Sequence, residues 1–182
     1  MTADAGFTFR AIEPDDLPLL HRWLNEPEVV AWWEGEDVSW QAVQRDYGPG
    51  AEGPYEQYLA EWQGKPIGWI QCSLIAAEAE DEEFFRPLGL DRTAATIDYL
   101  LGERTDRGRG LGTAMIRAFL VDIVFGRHPG WSQVCVAPQA ANEPSWRALA
   151  NAGFRHVATL PDPLGPCRAM LLEREPRGVM GA

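Results

Sequence analysis

Three glycines at alternate positions, Gly108, Gly110 and Gly112, stand between a run of strand formers and a run of helix formers. Thr96 to Leu101 favours a strand, and Ala114-Met-Ile-Arg-Ala-Phe-Leu-Val favours a helix. The segment 94–113 is therefore predicted to be a buried strand, a tight turn and the opening of a helix. Glycine lets the main chain aim its N–H groups at an anion. The first amides of the helix have no partner within it and lie at the positive end of its dipole. Together they make a main-chain cradle for a diphosphate that needs no metal. No Gly-Lys-Ser/Thr follows, so this is not a Walker loop. Nor does it open the chain with an acid about 20 residues on, as a dinucleotide fingerprint does.

The rest of the composition narrows the field. A chain of 182 residues is long enough to bury about 70% of its unfolded surface in one core, and a second full domain would not fit. No apolar run approaches the roughly 20 residues that span a bilayer. The start, Met-Thr-Ala-Asp-Ala-Gly, has no basic segment followed by an apolar one, which reads as cytoplasmic. The net charge of −11 repels nucleic acid and anionic membrane and favours cationic partners. Cys72, Cys135 and Cys167 are odd in number and far apart, the pattern of buried thiols rather than a disulfide framework. His21, His128 and His156 are isolated and no Cys/His cluster has metal spacing, so no metal is expected.

Along the chain, Phe7 to Ile12 reads as a strand, and Glu13-Pro-Asp-Asp opens a helix with Leu17, Leu20 and Leu24 on one face. Residues 29–37 read as a loop, and Ser39 caps a second helix carrying Val43 and Tyr47. Tyr55 to Trp62 and Ile67 to Leu74 read as a hairpin joined at Gln63-Gly-Lys-Pro66, forming the middle of the sheet. The acidic stretch 76–92 reads as a long loop or a short irregular helix. Ser132 to Val136 is a strand, Glu143 to Asn151 a helix, and Phe154 to Leu160 and Cys167 to Leu172 are two more strands joined by a turn. The result is mixed α/β. Residues 1–6 and 174–182 read as flexible ends around a domain of residues 7–173.

Arg107-Gly-Arg-Gly110-Leu-Gly112 resembles the acyl-CoA loop of the GNAT N-acetyltransferases, Gln/Arg-x-x-Gly-x-Gly/Ala. Asn142 with Ser145-Trp-Arg-Ala-Leu-Ala-Asn-Ala-Gly-Phe154 resembles the helix of that family that lies beside the cofactor. The resemblance implies a central mixed, mostly antiparallel sheet of six to seven strands flanked by helices. It implies acetyl-CoA as acetyl donor, with Arg107, Gly108, Arg109, Gly110, Leu111, Gly112, Thr113 and Asn142 around the coenzyme. Backbone amides of Tyr99, Leu100 and Leu101 would meet the thioester carbonyl. Asp98 lies one residue before them inside an apolar strand, where a carboxylate needs a reason to be present, and a cationic amine is that reason.

A closer resemblance, over about residues 7–173, is to the aminoglycoside 6′-N-acetyltransferases. It rests on Trp23-Leu-Asn25, Val30-x-Trp-Trp33-x-Gly-Glu36, Gly64-x-Pro-Ile-Gly68, Ile97-Asp98-x-Leu-Leu101, Gly110-Leu-Gly-Thr113, Ala152-Gly-Phe154 and Pro161-Asp162. It implies transfer to the 6′-amino group of a polycationic sugar by direct attack, with Asp98 as base or amine anchor. Trp32 and Trp33 would form an apolar wall, Asp37 and Asp162 would be charge partners, and Tyr58 would line the same cleft. The expected molecule is a monomer or homodimer that takes a cationic small-molecule amine. Two positions depart from the pattern. Ala137 replaces an acid in the segment Ala137-Pro-Gln-Ala-Ala-Asn142, and Leu149 replaces the helix tyrosine assigned as proton donor to the coenzyme. These departures keep open an acyltransferase acting on a siderophore or hydroxylysine amine, and a binding module that has lost its chemistry.

Overall fold

The computed structural model describes residues 6–33 and 36–174. Of the expected flexible ends, 1–5 and 175–182 lie outside the described residues. Seven strands form one sheet: β1 (Phe7–Ala11), β2 (Glu56–Trp62), β3 (Lys65–Leu74), β4 (Ala94–Leu101), β5 (Gln133–Val136), β6 (Arg155–Leu160) and β7 (Cys167–Glu173). Their order across the sheet is β1-β2-β3-β4-β5-β7-β6. Only β4 and β5 pair in parallel; every other neighbouring pair is antiparallel. Chain order and sheet order part at the end, because β7 docks on β5 and leaves β6 at the edge.

Helices α1 (Leu17–Leu24), α2 (Pro27–Val30), α3 (Trp40–Asp46), α4 (Ala79–Phe85), α5 (Leu111–Phe119), α6 (Phe125–Arg127) and α7 (Glu143–Asn151) connect the strands. One of them departs from the sequence reading, and another settles an alternative it left open. The expected loop 29–37 begins inside α2, which Pro27 opens at a position where its missing N–H costs nothing. The acidic stretch contains α4, held down by Phe85, which is buried against β4, β5 and β7. Elsewhere local signals hold. The Ser39 hydroxyl accepts from the Ala42 amide at 3.3 Å at the start of α3. The expected hairpin forms, but its turn is shorter than Gln63-Gly-Lys-Pro66: β3 takes up Lys65 and Pro66, leaving Gln63 and Gly64, both at positive φ (53° and 76°), as the right-handed twist of a hairpin demands.

Side chains of a strand alternate between faces, and here the alternation separates two layers. Tyr58, Ile70 and Ile97 pack under α5 and α7 with Met115, Phe119 and Leu149. Leu59, Trp69 and Leu100 pack under α1 and α3 with Leu20, Trp23 and Val43. Trp23, Trp69 and Phe119 are fully buried, and each contributes on the order of 1.5–3 kcal/mol by leaving water. Gly68 and Gly102 mark close approaches. A methyl group on Gly68 would meet the Leu100 carbonyl oxygen at 2.3 Å, and one on Gly102 would strike the Trp23 ring at 2.0 Å. The cysteines are buried and none is bridged. Among the described residues no helix is long and apolar enough to cross a membrane.

Candidate active site

The face of the sheet under α1 and α3 is covered at one end by those helices and at the other by α4, so its middle stays open. Register fixes what lies there: Gln57 stands opposite Gln71, and Gln71 opposite Asp98. Gln71 Nε2 donates to Asp98 Oδ2 at 2.8 Å. Asp98 opens to the water of the cleft, but low-dielectric protein crowds it from below and from the sides. That desolvation raises its carboxyl above the usual range, and the hydrogen bond from Gln71 opposes part of the rise.

The cleft above has a volume of about 580 Å³. Carboxylates of Glu36, Asp37, Asp46, Glu52, Asp98 and Asp162 line it, and among the described residues no Lys, Arg or His does. Trp32, Trp33, Tyr47, Tyr55 and Trp69 supply its apolar surface. Trp33 donates to the Tyr47 hydroxyl at 3.1 Å and meets Trp69 edge-on, so it belongs to the packed wall, whereas Trp32 stands on the rim. Asp37 and Asp162 each commit an oxygen to a local turn, at 2.9 Å from the Ser39 amide and 2.8 Å from the Leu164 amide. A carboxylate has acceptor sites to spare, so these turns aim the two acids without consuming them.

Sequence reasoning missed Asp81. It lies on α4, half-buried, and its carboxyl is pushed up to about 6, chiefly by desolvation and then by the charges of Asp98, Glu78 and Glu80. The same acids, with burial first, hold the Tyr55 phenol at about 12. An acidic run beside aromatic residues was the available signal, but only the docking of α4 next to the cleft gives it meaning. Asp46, Glu52, Gln57 and Gln71 were likewise invisible singly, and Glu36 figures in the sequence only as the end of the Trp32-Trp33 motif.

Tyr58 is a correction. It is 7% exposed and lies on the opposite face of β2, with its ring edge-on to Phe119. Its hydroxyl donates to Glu56 Oε2 at 2.8 Å and accepts from Arg127 at 3.2 Å. Strand parity decides this: Gln57, one residue earlier, takes the place in the cleft.

Past Ala95 and Val134 the ladder between β4 and β5 ends, so the edge of β4 from Ile97 to Leu101 has no strand partner among the described residues. The glycine turn follows, with φ of +71° at Gly108 and +81° at Gly110, where Gly110 caps α5. Nothing lies within 4 Å of where a Cβ would stand at either residue, so the turn is open and its glycines answer a conformational need. Arg104, Arg107 and Arg109 surround it, a local reversal of the overall charge. An open cradle of amides with cations about it, joined to a bare strand edge, fits a diphosphate followed by an amide-bearing arm.

The structure uses several of the expected cofactor side chains for other purposes. Arg107 donates to the carbonyls of Leu101 (3.2 Å) and Gly102 (2.9 Å) and pairs with Glu28 of α2 at 2.5 Å. Arg109 pairs with the buried Asp106 at 3.3 Å. Leu100 and Leu111 are buried; the Leu111 main chain is left for a ligand, whereas the Leu100 amide faces β3 opposite Trp69, and Gly112 packs on Leu101. The Thr113 hydroxyl leans on the Ala148 carbonyl at 3.4 Å. The Asn142 carboxamide oxygen accepts from the Ser145 amide at 3.3 Å and caps α7, a use that needs no coenzyme. Leu149 has no exposed surface and belongs to the core beneath the sheet.

Comparison with known proteins agrees with this geometry. A family model described as an acetyltransferase (GNAT) domain matches residues 13–161. An aminoglycoside N(6')-acetyltransferase type 1 of Klebsiella pneumoniae is 33% identical over 175 residues, covering 92% of this chain and 83% of that protein. The structure of AAC(6')-Ib with ribostamycin and coenzyme A superposes with a TM-score of 0.81 at 30% identity, covering 93% of this chain and 94% of the other. AAC(6')-Ib with coenzyme A and kanamycin gives 0.80 at 29% identity, covering 92% and 95%.

Proposed function

The chain belongs to the GNAT acetyltransferase family, whose acetyl-CoA-dependent N-acetyl transfer it shares, and from that premise we propose that its acceptor is an aminoglycoside, acetylated at the 6′-amino group. The observation that carries this reading is the convergence of six carboxylates on a cleft that no cation lines among the described residues; Asp46 is paired with Arg45, and the other five have no ion pair among the described residues. One amine needs one carboxylate. Five suit a compact polycation, and the aromatic walls suit the apolar faces of its sugar rings. Relatives of this chain bind ribostamycin and kanamycin.

Acceptor and donor meet in a ternary complex by direct attack, because orienting two bound reactants supplies much of the rate and the cysteines are buried; Cys72, which lies within 4.8 Å of His128 and Glu56, packs under α5 and α7 on the face away from Asp98, and burial pushes its thiol up. Asp98 anchors the ammonium and takes its proton. A carboxyl raised by desolvation is a better base than one in water, and Gln71 holds its second oxygen in place. The amides of Tyr99 and Leu101, which face the bare edge of β4, polarise the thioester carbonyl, while that of Leu100 faces β3 opposite Trp69. Amides of residues 107–113 hold the diphosphate. Trp32, Trp33, Asp37, Asp81 and Asp162 position the rest of the acceptor.

The test is a panel of amines with purified protein and acetyl-CoA, read by thiol release and by mass spectrometry of the product. Kanamycin- and ribostamycin-type sugars should turn over with the acetyl group on the 6′ nitrogen. Turnover of hydroxylysine-type amines with indifference to the sugars would replace this reading. Coenzyme and sugar binding without thiol release would mark a binding module instead.

A further inference from the structure

The donors of the cleft, among them the Tyr47 and Tyr55 hydroxyls, stand with the carboxylates on the Asp98 face, and the thiolate leaves from the edge of β4. Position 149 of α7 offers only a buried leucine. The alternation of β4 supplies a donor from the other side. Asp98 faces the cleft with Gln71, whereas its neighbour Tyr99 points to the opposite face and packs beside the core under α5 and α7. Tyr99 Oη lies 2.8 Å from Ser145 Oγ and 3.4 Å from the Ser145 carbonyl oxygen, both on α7. Because α7 follows β5, this side chain links the two sides of the opening that begins where β4 and β5 part. It is half-buried rather than enclosed in the core.

We propose that the Tyr99 hydroxyl, oriented by Ser145, donates a hydrogen bond to the coenzyme sulfur as the thioester breaks and so stabilises the departing thiolate. This rests on the reading that acetyl-CoA lies along the bare edge of β4. An acetyl group met by an amine on Asp98 lies beside residues 98 and 99, at the level of the strand, where both faces are within reach. The amine then approaches from the Asp98 face and the sulfur departs toward the Tyr99 face. The nitrogen bonds to the acetyl carbon, and the C–S bond breaks with its electron pair going to sulfur. Of the two protons that the nitrogen loses, the first goes through Asp98 to solvent before attack and the second reaches solvent as the C–S bond breaks; solvent returns one to the thiolate after release, so that one proton is set free per turnover. Tyr99 keeps its own proton, since a thiol with a pKa of about 8.5 is a stronger acid than a phenol of about 10. Burial pushes the Tyr99 phenol higher still, which keeps it a donor at every working pH.

The experiment is a pH titration of the coenzyme A thiol bound to the protein, followed by thiolate absorbance, in wild type, Tyr99→Phe and Ser145→Ala. The bound thiol should titrate about one pKa unit higher in Tyr99→Phe than in wild type, a tenfold change in thiolate population, and by a smaller step in Ser145→Ala. Turnover of Tyr99→Phe should fall roughly tenfold or more with the KM for acetyl-CoA nearly unchanged. Equal thiol pKa values in the three proteins would overturn the proposal, as would parallel loss of coenzyme affinity and turnover. A wild-type protein that fails to bind coenzyme A would instead remove the site on which the proposal rests.

Discussion

The glycine turn and the acidic cleft adjoin the same strand but are built in opposite ways. The turn is six consecutive residues, Arg107 to Gly112, whose useful groups are main-chain amides, and Gly108 and Gly110 are required by φ rather than by space. The cleft gathers side chains from positions 32 to 167, and they arrive there through sheet register, the docking of helices and the loops between. A site made of backbone therefore tolerates changes of side chain and fails when a dihedral is forbidden. A site made of side chains fails when one charge is lost. Glu28 joins the two, because it reaches from α2, just before the Trp32-Trp33 wall, to Arg104 and Arg107 beside the turn.

The largest expected effect breaks the cleft and spares the turn. Asp98→Asn should lower kcat/KM about 100-fold or more while coenzyme A affinity, by calorimetry, stays within about twofold. Loss of both would show that the two regions are not separable. The converse variant is Gly110→Ala, which places a Cβ at φ +81°. That costs roughly 1–2 kcal/mol of strain in the turn, enough to weaken coenzyme A about tenfold with sugar binding unchanged.

Asp81→Asn tests whether α4 belongs to the cleft. KM for a polycationic acceptor should rise roughly threefold near neutral pH, the worth of one partly exposed charge. The wild type should lose acceptor affinity as pH falls through about 6, where Asp81 gains a proton, and the variant should lose less. Stability runs the other way. Between the ordinary value of 3.8 and about 6 the folded state binds more protons than the unfolded one, so stability falls as pH rises through that window. With solvent screening allowed for, Asp81→Asn should be more stable at pH 7 by up to about 1 kcal/mol, read from chemical denaturation. The smallest effect on activity is that of Tyr58→Phe. It removes hydrogen bonds to Glu56 and Arg127 and should cost about 1 kcal/mol of stability while leaving acceptor KM unchanged.

What could be read from residue order alone was whatever is decided within a few residues. The β4–turn–α5 unit, the Ser39 cap and the Gln63-Gly64 hairpin are set by local dihedrals and by helix-terminus chemistry, which neighbouring residues carry with them. Asp98 belongs here too, since a carboxylate inside an apolar strand declares itself. Tyr58 and Gln57 were not separable in this way: each fits a strand, and one step of parity sends one to the cleft and the other under α5. The acids Glu36, Asp46, Glu52 and Asp81 are ordinary polar residues until α3, α4 and their loops settle on the sheet. The placement of β7 between β5 and β6, the parting of β4 from β5, and the reach of Tyr99 to Ser145 are likewise properties of the assembled sheet. They depend on contacts between residues far apart in the chain, whose free energies no local run of sequence contains.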